Sequence, residues 1–216
     1  MKTLYSMFLN LFLILIFSFG ILPSSPMAQS YPNRTITMIT PFPAGGSTDS
    51  ISRAIANQLT KQLGQSVVVD NRPGAGGLIG SDVVAKAPAD GYTILMTSSS
   101  IHSIGAALNK KAPFDYDKDF TPIVHVASAP HILLVTKQIP VNNFKELIAF
   151  AKANPTTLNF SSAGTGTIMH LTGESFKAGA GVQMQHIPYK GSSLSMPDLI
   201  SGKVHILFDS IVSGLS

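Results

Sequence analysis

The chain of 216 residues carries 15 lysines and arginines against 11 aspartates and glutamates, a net charge of +4, and no cysteine. Disulfides, thiolate metal sites, thiol catalysis and a lipid-modified start are thereby excluded. No basic run exceeds Lys110-Lys111, which argues against nucleic acid as a partner, and so mild a positive balance suits small anions.

In chain order, Lys2 precedes a nearly unbroken Leu, Ile and Phe run over 8–22, followed by Pro23, Ser24, Ser25, Pro26, Met27 and Ala28. This reads as a secretory signal peptide, residues 1–28, cleaved after Ala28. A retained anchor is the other reading, and the shortness of the run counts against it. Apolar runs of strand length then alternate with stretches of helical period, the mark of an α/β domain with largely parallel strands. The spacing predicts a strand over 35–40 and a helix on Ile51, Ile55, Leu59 and Leu63, capped by Ser47 or Thr48 at its start and by Gly64 at its end. A strand over 67–69, a helix over 78–86 and a strand over 92–97 complete a first lobe, 29–128.

The pattern restarts in a second lobe, 129–216, with a strand over 132–135 and a helix over 144–153 capped by Asn142 or Asn143. A strand over 158–161, a helix reaching Ala178, a strand over 185–187, a helix from near Pro197 and a strand over 204–208 follow. No internal repeat or low-complexity segment interrupts it.

Two glycine-rich turns stand out, Pro41-Phe42-Pro43-Ala44-Gly45-Gly46-Ser47-Thr48-Asp49 and Asn71-Arg72-Pro73-Gly74-Ala75-Gly76-Gly77, each leading from a strand into a helix. Such turns expose backbone N–H groups beside the partial positive charge of a helix N-terminus, which suits a small anion. Ligands of open α/β sheets sit beyond the carboxyl ends of the strands. That rule selects residues 44–49 after the first strand, Ser98, Ser99 and Ser100 after the third, 163–167 in the second lobe, and 189–192. The 71–77 turn follows the second strand, away from the expected switch point, and is assigned a structural role, with Arg72 reaching towards the rim. Asp49 either favours the helix dipole or fixes ligand or water. His170, one turn into its helix, either touches ligand or packs and caps; Asp209 either lines the cleft or sits at a hinge; Lys190 is expected to be solvated. The histidines at 102, 125, 131, 170, 186 and 205 show no metal spacing and no i,i+4 pair, so neither a metal nor a cofactor is expected.

The segments PFPAGGSTDSISR, VVVDNRPGAGGLIGSDVVAKAPADGYTIL and NFSSAGTGTIMHLTGESFK resemble the Bug family, the periplasmic solute receptors of tripartite tricarboxylate transport systems. The resemblance runs from about Tyr31 to Asp209. It implies a type II periplasmic-binding-protein fold, two lobes around a cleft, that captures a small carboxylate and passes it to membrane permease subunits from the periplasm. It implies ligand contacts at Pro43, Ala44, Gly45 and Gly46, at Gly164, Thr165, Gly166 and Thr167, and at Tyr189, Lys190 and Gly191. Thr48, Asp49, Ser98, Ser99, His170 and Asp209 complete the candidate set, and the receptor is expected to be a non-enzymatic monomer. The resemblance also implies further chain that crosses back and completes both sheets, so each lobe is expected to be incomplete as it stands.

Three other readings compete. A sensor that signals through a membrane protein shares every feature above. An exported hydrolase using Ser47, Ser99 or Ser162 with a histidine has no G-x-S-x-G elbow to support it. A dinucleotide-binding oxidoreductase has only a weak glycine pattern at 74–80 and no acidic residue at the end of a strand at the required distance.

Overall fold

The apolar strand β1 (Ile36–Thr40) is buried because it has parallel neighbours on both sides. Ile36 faces Val67 and Thr40 faces Asn71 of β2 (Val67–Asn71), while Thr37 to Ile39 pair with β3 (Thr93–Leu95). The computed structural model describes residues 30–214; the leader expected over 1–28 lies outside them. Every element named here belongs to the compact unit that begins at Arg34.

Helix α1 (Ser47–Leu63) joins β1 to β2 and lays Ile51, Ile55 and Leu59 against Ile36, Met38, Val67 and Met96. It ends on Gly64 in the left-handed conformation, as the periodicity predicts. Its start corrects the expectation: Gly46 is the N-cap, and neither Ser47 nor Thr48 closes the first turn. Both hydroxyl residues lie inside the helix, past the position from which a side chain accepts from the second or third amide. A single 3₁₀ turn (Ala75–Gly77) leads into α2 (Leu78–Ala85). Strand β3 covers only the middle of the expected 92–97. A π-helical turn, Ser100–Gly105, follows.

The second sheet has the order β4 (His131–Val135), β7 (Ile206–Ser210), β5 (Asn159–Ser162), β6 (Gln185–Pro188), with β5 parallel to both neighbours and β4 antiparallel to β7. Helices α3 (Phe144–Ala153), α4 (Ile168–Ala180), α5 (Met196–Ser201) and α6 (Ile211–Gly214) connect and flank it. Leu147, Leu158, Phe160 and Ile206 form its core and are each at most 1% exposed. Each such side chain contributes about 1.5–3 kcal/mol. Gly173 of α4 lies so close to the Phe160 ring that a methyl group there would overlap it. Strand β7 begins two residues later than the expected 204 and runs to Ser210, because the ladder with β4 continues to the pair His131 and Ser210. That extension carries Asp209 into the strand. Among the described residues no helix is long and apolar enough to cross a membrane.

The start of α3 is closed reciprocally. Asn143 Oδ1 accepts from Glu146 N at 3.0 Å, and the Glu146 carboxylate accepts from Asn142 N at 2.8 Å and from Asn143 Nδ2 at 2.7 Å. Asn143→Ala is expected to cost about 1 kcal/mol, roughly 2–4 °C in Tm, read by thermal unfolding.

Candidate functional site

A cavity of about 730 Å³ opens between the two sheets. Its wall is drawn from the carboxyl ends of parallel strands: Pro43, Gly46, Ser47 and Thr48 after β1; Ser98, Ser99 and Ser100 after β3; Ala163, Thr167 and Ile168 after β5; Ser192 and Ser193 after β6. Ile51, Ile55 and Leu59 of α1 and the segment 123–129 extend it. Among the described residues no Lys, Arg, Asp or Glu lines it; the titratable ones that do are His102, His125 and His131. The wall is therefore hydroxyl-rich, and its anion-attracting capacity resides in backbone amides.

The loop after β1 is held from behind by Asp49, which is 4% exposed. Its carboxylate accepts from Gly45 N at 3.0 Å and from Asn71 Nδ2 at 2.9 Å, and pairs with Arg53 through Nε at 3.0 Å and Nη2 at 2.9 Å. Asn71 Nδ2 also donates to the Phe42 carbonyl at 3.0 Å, tying β2 to the same loop. Burial pushes the Asp49 pKa up, but the hydrogen bonds from Arg53, Asn71 and Gly45 outweigh it and hold the carboxyl below its ordinary range. Asp49 thus shapes the loop and is neutralised by Arg53 instead of facing the cavity. The Gly45 amide is spent on Asp49, whereas no side chain caps the first turn of α1, whose Gly46, Ser47 and Thr48 line the cavity.

The turn after β5 is satisfied internally. Gly164 N donates to Ser162 Oγ at 3.1 Å, Gly166 N to His170 Nδ1 at 3.2 Å, and the Gly164 carbonyl accepts from Thr167 Oγ1 at 2.7 Å. The α4 amides are capped as well: Ile168 N donates to Ser100 Oγ at 3.1 Å and His170 N to Thr167 Oγ1 at 3.5 Å. The two helix starts are therefore unequal, and only that of α1 lacks a side-chain cap.

Of the residues singled out from sequence, Pro43, Gly46, Ser47, Thr48, Ser98, Ser99, Ser100, Ala163, Thr167 and Ser192 line the cavity. Ala44 receives Ser193 Oγ on its carbonyl at 3.1 Å, and Gly191 sits against the Pro43 ring. Gly45, Gly164, Thr165 and Gly166 form the turns behind the wall. Tyr189 turns to α5, where its hydroxyl donates to Asp198 at 2.5 Å; burial and that carboxylate push its pKa up to about 12. His170 caps its own turn. Asp209 is fully buried, accepting from Ser210 N at 2.8 Å and Ser213 Oγ at 2.9 Å, so it braces α6 from behind, while Ser210 Oγ accepts from Val212 N at 3.3 Å. Arg72 pairs with Asp70 at 2.9 Å and Lys190 is exposed.

Sequence reasoning missed His102 and Ser193 on the wall. His102 Nε2 and Ser98 Oγ are buried without a partner among the described residues, and burial lowers the His102 pKa, so the ring is neutral near pH 7. The stack of Phe160, His186 and His170 was equally hidden, with centroids 4.9 Å and 4.0 Å apart. Ser162 Oγ lies 2.7 Å from His186 Nε2, the pairing a serine hydrolase needs, but Ser162 is fully buried and does not line the cavity. Burial, with His170 alongside, pushes the His186 pKa down to about 4, which makes it a weak base at neutral pH. Among the described residues no cluster of His, Asp and Glu is placed to hold a metal.

Residues 51–215 match the model of the tripartite tricarboxylate transporter family receptor. The chain is 42% identical over 193 residues to a UPF0065 protein from the tcbD-tcbE intergenic region of a Pseudomonas species, covering 88% of this chain and 57% of that one. It is 42% identical over 178 residues to BugT of Bordetella pertussis, covering 82% and 55%. Among solved structures, R. palustris Rpa4515 with adipate superposes with TM-score 0.83 at 38% identity, covering 85% of this chain and 62% of the other. MatC of Rhodopseudomonas palustris with bound malate gives 0.79 at 31%, covering 86% and 63%. The chain therefore spans little more than half the length of these curated relatives. These likenesses establish the α/β fold of the periplasmic binding proteins, with its two sheets around a cleft.

Proposed function

The chain belongs to the tripartite tricarboxylate transporter receptor family, and from that premise we propose that it is a periplasmic solute receptor that binds a small di- or tricarboxylate between its two sheets. The observation that carries the reading is the start of α1, a long helix whose first turn has no side-chain cap and opens into a cavity with no charged lining side chain. A carboxylate there gains about 1.5–3 kcal/mol from each charge-assisted hydrogen bond and about 0.3–1 kcal/mol from the helix dipole. Three or four such bonds, less the costs of desolvation and association, reach about −8 kcal/mol, which corresponds to micromolar affinity. The hydroxyls of Ser98, Ser99, Ser192 and Ser193 supply neutral donors for the rest of the ligand.

The sequence leader would deliver the receptor to the periplasm as a monomer, and permease subunits in the membrane would receive its ligand. Similarity to receptors solved with adipate and with malate supports the choice of probes. The test is thermal unfolding of the chain with each acid in turn. Tm is expected to climb with concentration, reaching about 2.7 kcal/mol of stabilisation at a hundredfold excess over Kd. A flat Tm with both acids and with a panel of other di- and tricarboxylates overturns the reading. Gly45→Val, which forces a branched side chain to φ +81° in the loop behind the wall, is expected to weaken adipate binding about tenfold or more, measured by titration calorimetry.

A further inference from the structure

The resemblance implies that Gly191 touches ligand, yet Gly191 does not line the cavity; it is buried against the loop after β1. A Cβ on Gly191 would overlap Cδ and Cγ of the Pro43 ring, with the Pro43 backbone nitrogen 3.6 Å away. The ring closes on that nitrogen, so it cannot swing aside as the tip of a flexible side chain would. Elsewhere the same two halves meet at ordinary contact distances. A Cβ on Gly76 would stand 3.4 Å from the Thr165 carbonyl oxygen, one on Gly166 3.5 Å from Leu108 Cδ1, and one on Gly45 3.9 Å from Ser193 Cβ. Among these approaches, that of Gly191 to Pro43 is the one with no room for a side chain.

Both partners are tied to their own halves. Tyr189 N donates to the Ser162 carbonyl at 3.0 Å, Leu194 N to the Gly191 carbonyl at 3.2 Å, and Ser195 Oγ to the Ser192 carbonyl at 2.8 Å. On the other side Asn71 holds the Phe42 carbonyl and Asp49 holds Gly45 N, one before and one after Pro43. The contact therefore joins two shaped turns, and Ser193 Oγ extends it with its bond to the Ala44 carbonyl. Pro43 and Gly46 from one turn and Ser192 and Ser193 from the other line the cavity, so the join lies within its wall. We propose that Gly191 is a positioning residue: having no side chain, it lets the Pro43 ring dock on the 191–193 turn, and this docking sets where the first turn of α1 stands relative to Ser192 and Ser193. The docking is a property of the protein alone; its consequence for affinity rests on the carboxylate-receptor reading.

Gly191→Ala tests the docking with one methyl group. The Gly191 backbone is extended, at φ 161°, so alanine meets no left-handed strain and only the ring stands in its way. Pro43→Ala removes Cγ and Cδ, the two atoms that the methyl would overlap. In thermal unfolding without ligand, Gly191→Ala is expected to lower Tm by about 5 °C, and the double variant Gly191→Ala/Pro43→Ala to melt no lower than Pro43→Ala alone. In titration calorimetry well below Tm, adipate affinity is expected to fall about tenfold in Gly191→Ala, as a docked population near one tenth requires. The double variant is expected to bind adipate no more weakly than Pro43→Ala. Gly202→Ala is the control for lost stability. Gly202 closes α5 at φ +82°, a Cβ there would overlap Gln138, and neither residue lines the cavity, so Tm should fall while adipate affinity holds. Additive losses in the double variant overturn the inference, as does parent-like adipate affinity in Gly191→Ala or an equal loss of affinity in Gly202→Ala. If Gly191→Ala does not fold, a cooperative transition regained in the double variant supports the docking and its absence overturns it. If the parent chain binds no carboxylate, the receptor reading fails while the Tm comparison still judges the docking.

Discussion

Replacing Asp49 by alanine is expected to cost the folded chain about 3 kcal/mol and to weaken carboxylate binding at least about tenfold, although Asp49 does not line the cavity. The carboxylate gathers three donors from separate parts of the chain: Gly45 N in the loop, Asn71 Nδ2 on β2, and Arg53 one turn along α1. Hydrogen bonds to a charged group contribute about 1.5–3 kcal/mol each, and a donor left buried without its acceptor carries the desolvation cost in full. Arg53 is 55% exposed and rehydrates, so the loss concentrates on Gly45 and Asn71, and the loop that carries Pro43 and Gly46 loosens. Tm is expected to drop by about 6–12 °C. Asp49→Asn should recover little, since its amide nitrogen confronts the donors of Asn71 or Arg53.

The pH dependence separates this account from a loss of packing. The folded carboxyl titrates below its ordinary value of 3.8, so Asp49 stabilises fully above that value, and the contribution disappears as pH falls through the lower folded pKa. Urea unfolding should show parent and Asp49→Ala far apart at pH 7 and converging in acid. A constant gap down to the acid limit would mean that the charge is irrelevant.

Much of this architecture was legible because strand and helix periods differ. The Ile51, Ile55, Leu59 spacing and the terminal Gly64 mark α1, and Phe144 to Ala153 matches α3 residue for residue. The strand-end rule reached the four loops of the cavity because it depends on chain direction alone. What stayed hidden depends on tertiary contact. Whether Ser47 or Gly46 caps α1 turns on where the helix starts, by one residue. Asp49 sits in the first turn whether it favours a dipole or holds a loop, and only Asn71, 22 positions away, tells the two apart. The 71–77 glycines show that close approach is needed, but not what approaches. His170 and His186 lie on α4 and β6, and nothing local marks them as stacked partners.

That stack supplies the second large effect. Burial, reinforced by the neighbouring His170 and by Lys177 and only partly countered by Glu174, pushes the His186 pKa from 6.5 down to about 4. Between these values the unfolded chain takes up a proton that the folded chain refuses, so stability is greatest above pH 6.5 and falls as pH drops towards 4. The shift corresponds to about 3 kcal/mol, and partial exposure reduces it to about 2 kcal/mol. His186→Phe keeps a ring between Phe160 and His170 but removes both the titration and the bond to Ser162 Oγ. The variant should be about 1 kcal/mol less stable than the parent at pH 7.5, and this deficit should vanish or reverse at pH 4.5, in urea unfolding at each pH. His102 and His205, whose pKa values burial also lowers, keep a residual slope of the same sign in both proteins. Equal slopes would refute the assignment to His186. Because Ser162 Oγ bonds both His186 and Gly164 N, acid that charges the folded ring also loosens the turn after β5, so adipate binding should weaken as pH falls through about 4 in the parent and less in the variant.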